Sequence, residues 1–238
     1  MQAPFRQKRR SQAGVTLVEL LVAMVVLLIV STMLVGTWIS LQRAFGYAKA
    51  DTAAGATGRD ALSRISSELR AAQPNPSGTP ASTTAFVTTL ASPYVCDAND
   101  CVFYSAYNNS AAALQSGTSG TSQLHLTAIW LDTSGSTAQK KLYWLRDTNG
   151  DGALNASDKK ILLASNVVNT AASVNRPIFQ YVLRDSSGNY TFSTSLTSTN
   201  VASLVAVNIE LVVDANLAHS PTYVDLVSTV RPRNAGTN

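Results

Sequence analysis

The stretch SQAGVTLVELLVAMVVLLIVSTMLVG, residues 11–36, constrains this chain more than anything that follows it. From Leu20 to Gln42 there is no charged residue, and about 20 helical residues suffice to cross the hydrocarbon core of a bilayer. The sequence therefore predicts a membrane span. Ahead of it stand Arg6, Lys8, Arg9 and Arg10 with no acidic residue between them. Basic residues favour the cytoplasmic side, so the N-terminus is expected in the cytoplasm and the chain beyond about residue 42 outside the inner membrane. A cleaved export signal has an apolar core of about 7 to 15 residues followed by a small-residue cut site. Here the small residue, Gly14, comes before the apolar run.

Glu19 lies inside that run. A carboxylate within lipid costs roughly 2.5 to 3.5 kcal/mol on insertion scales, so it is read as functional and in need of a positive partner. The combination of basic leader, Gly14, the apolar VTLVELLVA and Glu19 resembles type IV prepilins and type II secretion pseudopilins. The resemblance implies a cut between Gly14 and Val15 by a membrane prepilin peptidase. It also implies N-methylation of the new terminus, and an apolar helix that stays attached for filament assembly. Val15 departs from the Phe usual in major pilins. In this reading Glu19 is the fifth mature residue, and the ammonium created at Val15 of one subunit can meet Glu19 of another. Two charges that are each costly in lipid become tolerable as a pair. The other reading is a single-pass anchor with Glu19 near the interface.

The formal charge of +4 and pI near 9.2 suggest at first an anionic partner. All four excess cations belong to the leader, so the mature chain is neutral. No cluster of Lys or Arg interleaved with aromatics remains, and no specific nucleic-acid site is evident. The mature body is rich in Ser, Thr, Ala and Asn, with 13% charged residues over the whole chain. That is the look of an extracellular bacterial surface domain.

Past the span, helical patterning continues to Pro74. Leu62, Ile65, Leu69 and Ala72 recur at three- and four-residue spacing, a stripe able to lie on a sheet, while Arg59, Arg64, Ser67 and Arg70 fall elsewhere. One helix over 15–72 would be about 85 Å long. Its first part, 15–42, is the transmembrane and assembly segment, and 43–72 is amphipathic. Gly36, Gly46, Gly55 and Gly58 weaken it by about 1 kcal/mol each, so bends or local melting are expected there. Residues 74–122 read mostly as loop, with a short strand at about 85–90. Then come QLHLTAIWL, KKLYWLR, KKILLA, PIFQYVLR, YTFST, ASLVAVNIELVVD and YVDLVSTVRP, β-branched or aromatic runs separated by turn residues. Short turns between them imply antiparallel pairing. The expected fold is α+β, a long N-terminal helix packed on an antiparallel sheet within an extracytoplasmic domain over 73–238. The order of these runs also resembles minor pilins of the PilW type and J-type pseudopilins.

Cys96 and Cys101 are the only cysteines. In an oxidising compartment they read as a small disulfide loop rather than a metal site, for which two thiolates lack companions.

The stretch DTNGDGALNASD, Asp147–Asp158, has Asp147, Asn149 and Asp151 at alternate positions, Gly152 sixth, Asn155 ninth and Asp158 twelfth. Calcium loops converge hard oxygens at positions 1, 3, 5, 9 and 12 and a carbonyl at 7, with Gly at 6 for the turn. Ala153 would supply the carbonyl. Asp rather than Glu at the twelfth position resembles the loop of dockerin modules, of which only the metal loop is carried over. One Ca²⁺ is expected, the alternative being a polar hairpin turn.

Nothing supports an enzyme: His125 and His219 are isolated, and no nucleophile or carboxylate pair stands near either. Two functions remain. One is a minor pilin or pseudopilin subunit whose partners are other pilins, the prepilin peptidase and, before assembly, the membrane. The other is a membrane-tethered, calcium-stabilised binding protein that does not polymerise.

Overall fold

The computed structural model describes residues 16–76, 82–90, 94–106, 124–135, 138–155, 157–215 and 223–233. Gly14, Val15 and His219 lie outside the described residues. The fold is α+β: one long N-terminal helix and a curled antiparallel sheet.

Helix α1, Leu17–Arg70, is unbroken. Local melting at the four glycines does not occur, and for two of them the reason is packing. A Cβ on Gly58 would lie 2.7 Å from Leu226 Cδ1 and 3.3 Å from Val213 Cγ2, while one on Gly55 would meet Val224 at 3.6 Å. Of the four helix glycines Gly58 lies tightest against the sheet, so packing against Leu226 and Val213 offsets its helix-propensity cost.

The chain divides into two compact units, Met1–Ala48 and Lys49–Asn238. In the first, the apolar side chains of α1 are exposed all round. In the second, α1 buries Gly55, Gly58, Ala61, Ile65, Ser66, Glu68 and Leu69, a three- and four-residue stripe. Ile65, Leu69 and Ala72 are fully buried and Leu62 packs at the edge. Burying side chains the size of Ile65 or Leu69 is worth about 1.5 to 3 kcal/mol each.

Eight strands follow: β1 Cys101–Ser105, β2 His125–Asp132, β3 Lys140–Arg146, β4 Lys159–Val167, β5 Phe179–Arg184, β6 Tyr190–Ser193, β7 Leu204–Val213 and β8 Val224–Val230. They pair antiparallel in the order β1-β2-β3-β4-β7-β5-β6, with β8 also on β7. Strand β7 is the hub. It pairs with β8 over Val207–Val213, with β5 over Leu204–Ile209, and with β4 only at Val213.

The outer edge of β1 is covered by the chain that leaves α1. Gln73 N–H donates to Tyr104 O at 3.0 Å, Tyr104 N–H to Ala85 O at 3.0 Å, and Val87 N–H to Val102 O at 3.0 Å. The strand expected at 85–90 is therefore only an isolated bridge, Phe86 to Phe103. The strand β1 itself falls in the region read as loop. Phe86, Phe103, Phe179 and Tyr181 fill the core beneath it, Phe86 meeting Phe103 at 6.0 Å and the edge of Tyr181 at 6.5 Å.

Candidate functional site

Glu19 is exposed in the first turn of α1, and its N–H donates to Thr16 Oγ1 at 3.3 Å. A threonine at the helix entry and a carboxylate in the first turn both suit the exposed N–H groups there. Among the described residues the Glu19 carboxylate meets no donor or cation. The helix that follows is long and apolar enough to cross a membrane, and its most apolar window has no residue buried in the protein. Among the described residues this surface has no partner.

The 147–158 loop joins β3 to β4. Its first carboxylate, Asp147, is 4% exposed and its last, Asp158, 8%. Asp147 accepts Gly150 N–H on Oδ1 at 2.7 Å and Gly152 N–H on Oδ2 at 2.9 Å. Asp158 accepts Thr148 N–H at 3.2 Å and Asn155 N–H at 2.8 Å, closing the loop from the other side. Gly150 and Gly152 take φ of 75° and 77°, values that a Cβ would strain. On the outside, Asn149 Oδ1 accepts Asp151 N–H at 3.1 Å, and Asp151 Oδ1 accepts Ala153 N–H at 2.9 Å. Asp151 also accepts the side-chain amides of Asn149 and Asn155 at 2.9 and 3.2 Å. The Ala153 N–H and the Asn149 amide hold the Asp151 carboxyl below its ordinary pKa.

The loop has the donor set of a hard-cation site, three carboxylates and two amide oxygens, folded around two left-handed glycines. Among the described residues, however, no three carboxylate, imidazole or thiol side chains stand close enough together to hold an ion. A cation would have to draw Asp147, Asp151 and Asp158 inward.

The loop stands on a rigid base. Asp147 N–H donates to Leu126 O at 2.9 Å, and His125 Nδ1 lies 3.0 Å from Asp147 O. Lys160, at the start of β4, sits over the rings of Tyr143 at 3.9 Å and Trp130 at 4.6 Å, and those rings stack at 5.7 Å.

One cluster escaped the sequence reading. Glu68 of α1 is fully buried, receiving Ser105 Oγ–H at 2.7 Å and Arg146 Nη2 at 3.1 and 3.2 Å. Trp144 lies between the guanidiniums of Arg64 and Arg146, 4.6 and 4.7 Å away. Burial pulls the Arg146 pKa down and Glu68 holds it up. The signal was present: Glu68 falls three residues after Ile65, on the apolar stripe.

Cys96 and Cys101, expected as a disulfide, are free thiols, both buried. They are in hydrogen-bond contact, and burial, reinforced by Cys96, pushes the Cys101 thiol well up. Val102 N–H donates to Cys96 Sγ at 3.2 Å, and Asp97 Oδ1 accepts Asn99 N–H at 2.7 Å and Asp100 N–H at 2.9 Å. These hydrogen bonds shape the turn between them.

The model of the Prokaryotic N-terminal methylation motif matches residues 9–35. Neither the curated proteins nor the solved structures yield a match to the chain. The matched segment carries Gly14, Val15 and Glu19 and the first part of α1, and it is similar to the N-terminal segment of type IV pilin-like precursors.

Proposed function

We propose that this chain is a minor pilin-like subunit of a type IV pilus or a type II secretion pseudopilus. It is made as a precursor, cut between Gly14 and Val15 by prepilin peptidase, methylated there, and held in the cytoplasmic membrane by the first part of α1. Its β-rich domain faces away from the cytoplasm, and the subunit then joins or initiates a filament. The observation that carries this reading is the motif at residues 9–35 together with Glu19, exposed and without a partner among the described residues. A mere anchor needs neither a Gly before the apolar run nor a carboxylate inside it. A neighbour's terminal ammonium at Val15 supplies the missing charge.

The test uses the full chain expressed with its filament system. Gly14→Leu should leave an uncut membrane protein, since a peptidase working beside lipid needs no bulky side chain at that step. Glu19→Ala should insert and be cut, yet drop out of sheared filaments. A mature terminus at Val15 in Gly14→Leu by mass spectrometry, or wild-type recovery of Glu19→Ala in filaments, overturns the reading.

The proposal extends to one Ca²⁺ held by Asp147, Asn149, Asp151, the Ala153 carbonyl, Asn155 and Asp158. What supports it is the donor chemistry and the two left-handed glycines of the loop. The ion would neutralise three carboxylates that repel one another. In an oxidising compartment, Cys96 and Cys101 pair within their turn.

A further inference from the structure

Strand β7 brings β5 to one of its edges and β8 to the other, and so places Arg184, which ends β5, and Arg231, which follows β8, around one hollow. Asp185, Ser186 and Tyr190 of the β5–β6 hairpin and Ser203 before β7 complete its lining, and its volume is about 430 Å³. Small-molecule sites are commonly about 300 to 1,000 Å³.

Among the described residues, neither the Arg184 nor the Arg231 side chain makes a hydrogen bond or ion pair. Arginines elsewhere on the sheet are engaged: Arg146 with Glu68, and Arg176 with Glu210 at 2.7 Å and Asp225 at 2.6 Å. The one carboxylate in the wall is occupied by its own turn. Asp185 Oδ1 accepts Ser187 N–H at 2.9 Å and Asn189 N–H at 2.8 Å, and Oδ2 accepts the Asn189 amide at 3.2 Å. Asp185 therefore shapes the turn rather than neutralising an arginine. Gly188, at φ 85°, lets the turn lie against Arg184, whose Nη2 would be 3.4 Å from a Cβ there. The side chain is thus backed by the turn.

Two arginines lining one hollow, each guanidinium a planar fork of donors, suit an oxyanion bound at two points. Ser186 and Ser203 add hydroxyls and Tyr190 an exposed ring at the rim. We propose that this hollow binds a small ligand carrying a carboxylate or a phosphate on a body of one or two sugar-sized rings.

The full chain in detergent micelles is titrated by calorimetry with inorganic phosphate, glucuronate and glucose. Both anions should bind, glucuronate more tightly because its ring fills the hollow, and glucose should not. Arg184→Gln and Arg231→Gln should each weaken binding about tenfold or more, and Arg70→Gln, at the exposed end of α1, should leave it unchanged. Binding of phosphate alone assigns the phosphate member of the class. Absence of heat from both anions at about 10 mM overturns the proposal. So does glucose binding as well as glucuronate, or retention of wild-type affinity in either arginine variant with its melting temperature intact.

Discussion

Replacing Arg146 by Met tests what holds α1 to the sheet. The substitution keeps most of the stem that packs beside Trp144 but strands Glu68, fully buried, with Ser105 Oγ–H as its remaining donor of the two described. Removing one partner of a buried pair costs about 3 to 5 kcal/mol, because a buried charge is left uncompensated. For a domain of this size about 1 kcal/mol moves the midpoint 2 to 4 °C, so Tm should fall by roughly 6 to 20 °C. The double variant Glu68→Met with Arg146→Met removes both charges. It should return to within about 1 kcal/mol of wild type, the remainder being loss of the Ser105 Oγ–H to Glu68 hydrogen bond. Thermal unfolding of the full chain in detergent, followed by near-ultraviolet dichroism, reads all three proteins. A gap below about 1 kcal/mol for Arg146→Met, or a double variant no more stable than Arg146→Met, would refute the reasoning.

Calcium should raise Tm following RT ln(1 + [Ca²⁺]/Kd), about 2.7 kcal/mol at one hundred times Kd. Asp151→Ala should lose most of that gain and Asp185→Ala none, and equal responses in a melting series would reduce the loop to a hairpin turn. Gly58→Leu should destabilise by about 1 to 3 kcal/mol, since its side chain must displace Leu226 and Val213. Gly46→Leu, with nothing within 4 Å of its Cβ, should be neutral or gain up to about 1 kcal/mol, and denaturant midpoints compare the two. Asp100 is buried beside Asp97, and burial pushes its pKa up to about 7 against the Leu131 N–H that it accepts at 2.8 Å. Its neutral form therefore stabilises the fold below about pH 4, and that contribution is lost as pH rises to about 7. Asp100→Asn keeps the acceptor, so its Tm should be flatter than wild type across that range.

The helix and most strands were legible because each has a period that burial enforces. Ile65, Leu69 and Ala72 repeat as a helix must to lie on a sheet, and runs such as FQYVLR alternate. What failed depended on neighbours distant in sequence. CVFYS is a strand only because residues 72–73 and 85–87 cover one side and β2 the other. Gly58 reads locally as a helix breaker, and only Leu226 and Val213 reveal why it is there. Glu68 sits on the apolar stripe in sequence, and only Arg146 and Ser105, arriving from two strands, reveal what a carboxylate does there. The loop at 147–158 was legible as a pattern of oxygens, since its bonds run within a dozen residues. Its backbone donors already occupy those oxygens, which no pattern discloses.

The two grips on α1 are made from parts of the chain synthesised at different times. Ser105 and Arg146, which hold Glu68, emerge in the middle of synthesis, whereas Val213, Val224 and Leu226, which receive Gly55 and Gly58, come from the last two strands. The later stretch of the docked helix can therefore be fastened first, while the earlier stretch keeps an open flank until β8 is in place. A chain cut short before β8 would lose Val224 and Leu226 from the Gly55–Gly58 face, leaving Val213 of β7 as its remaining described contact there.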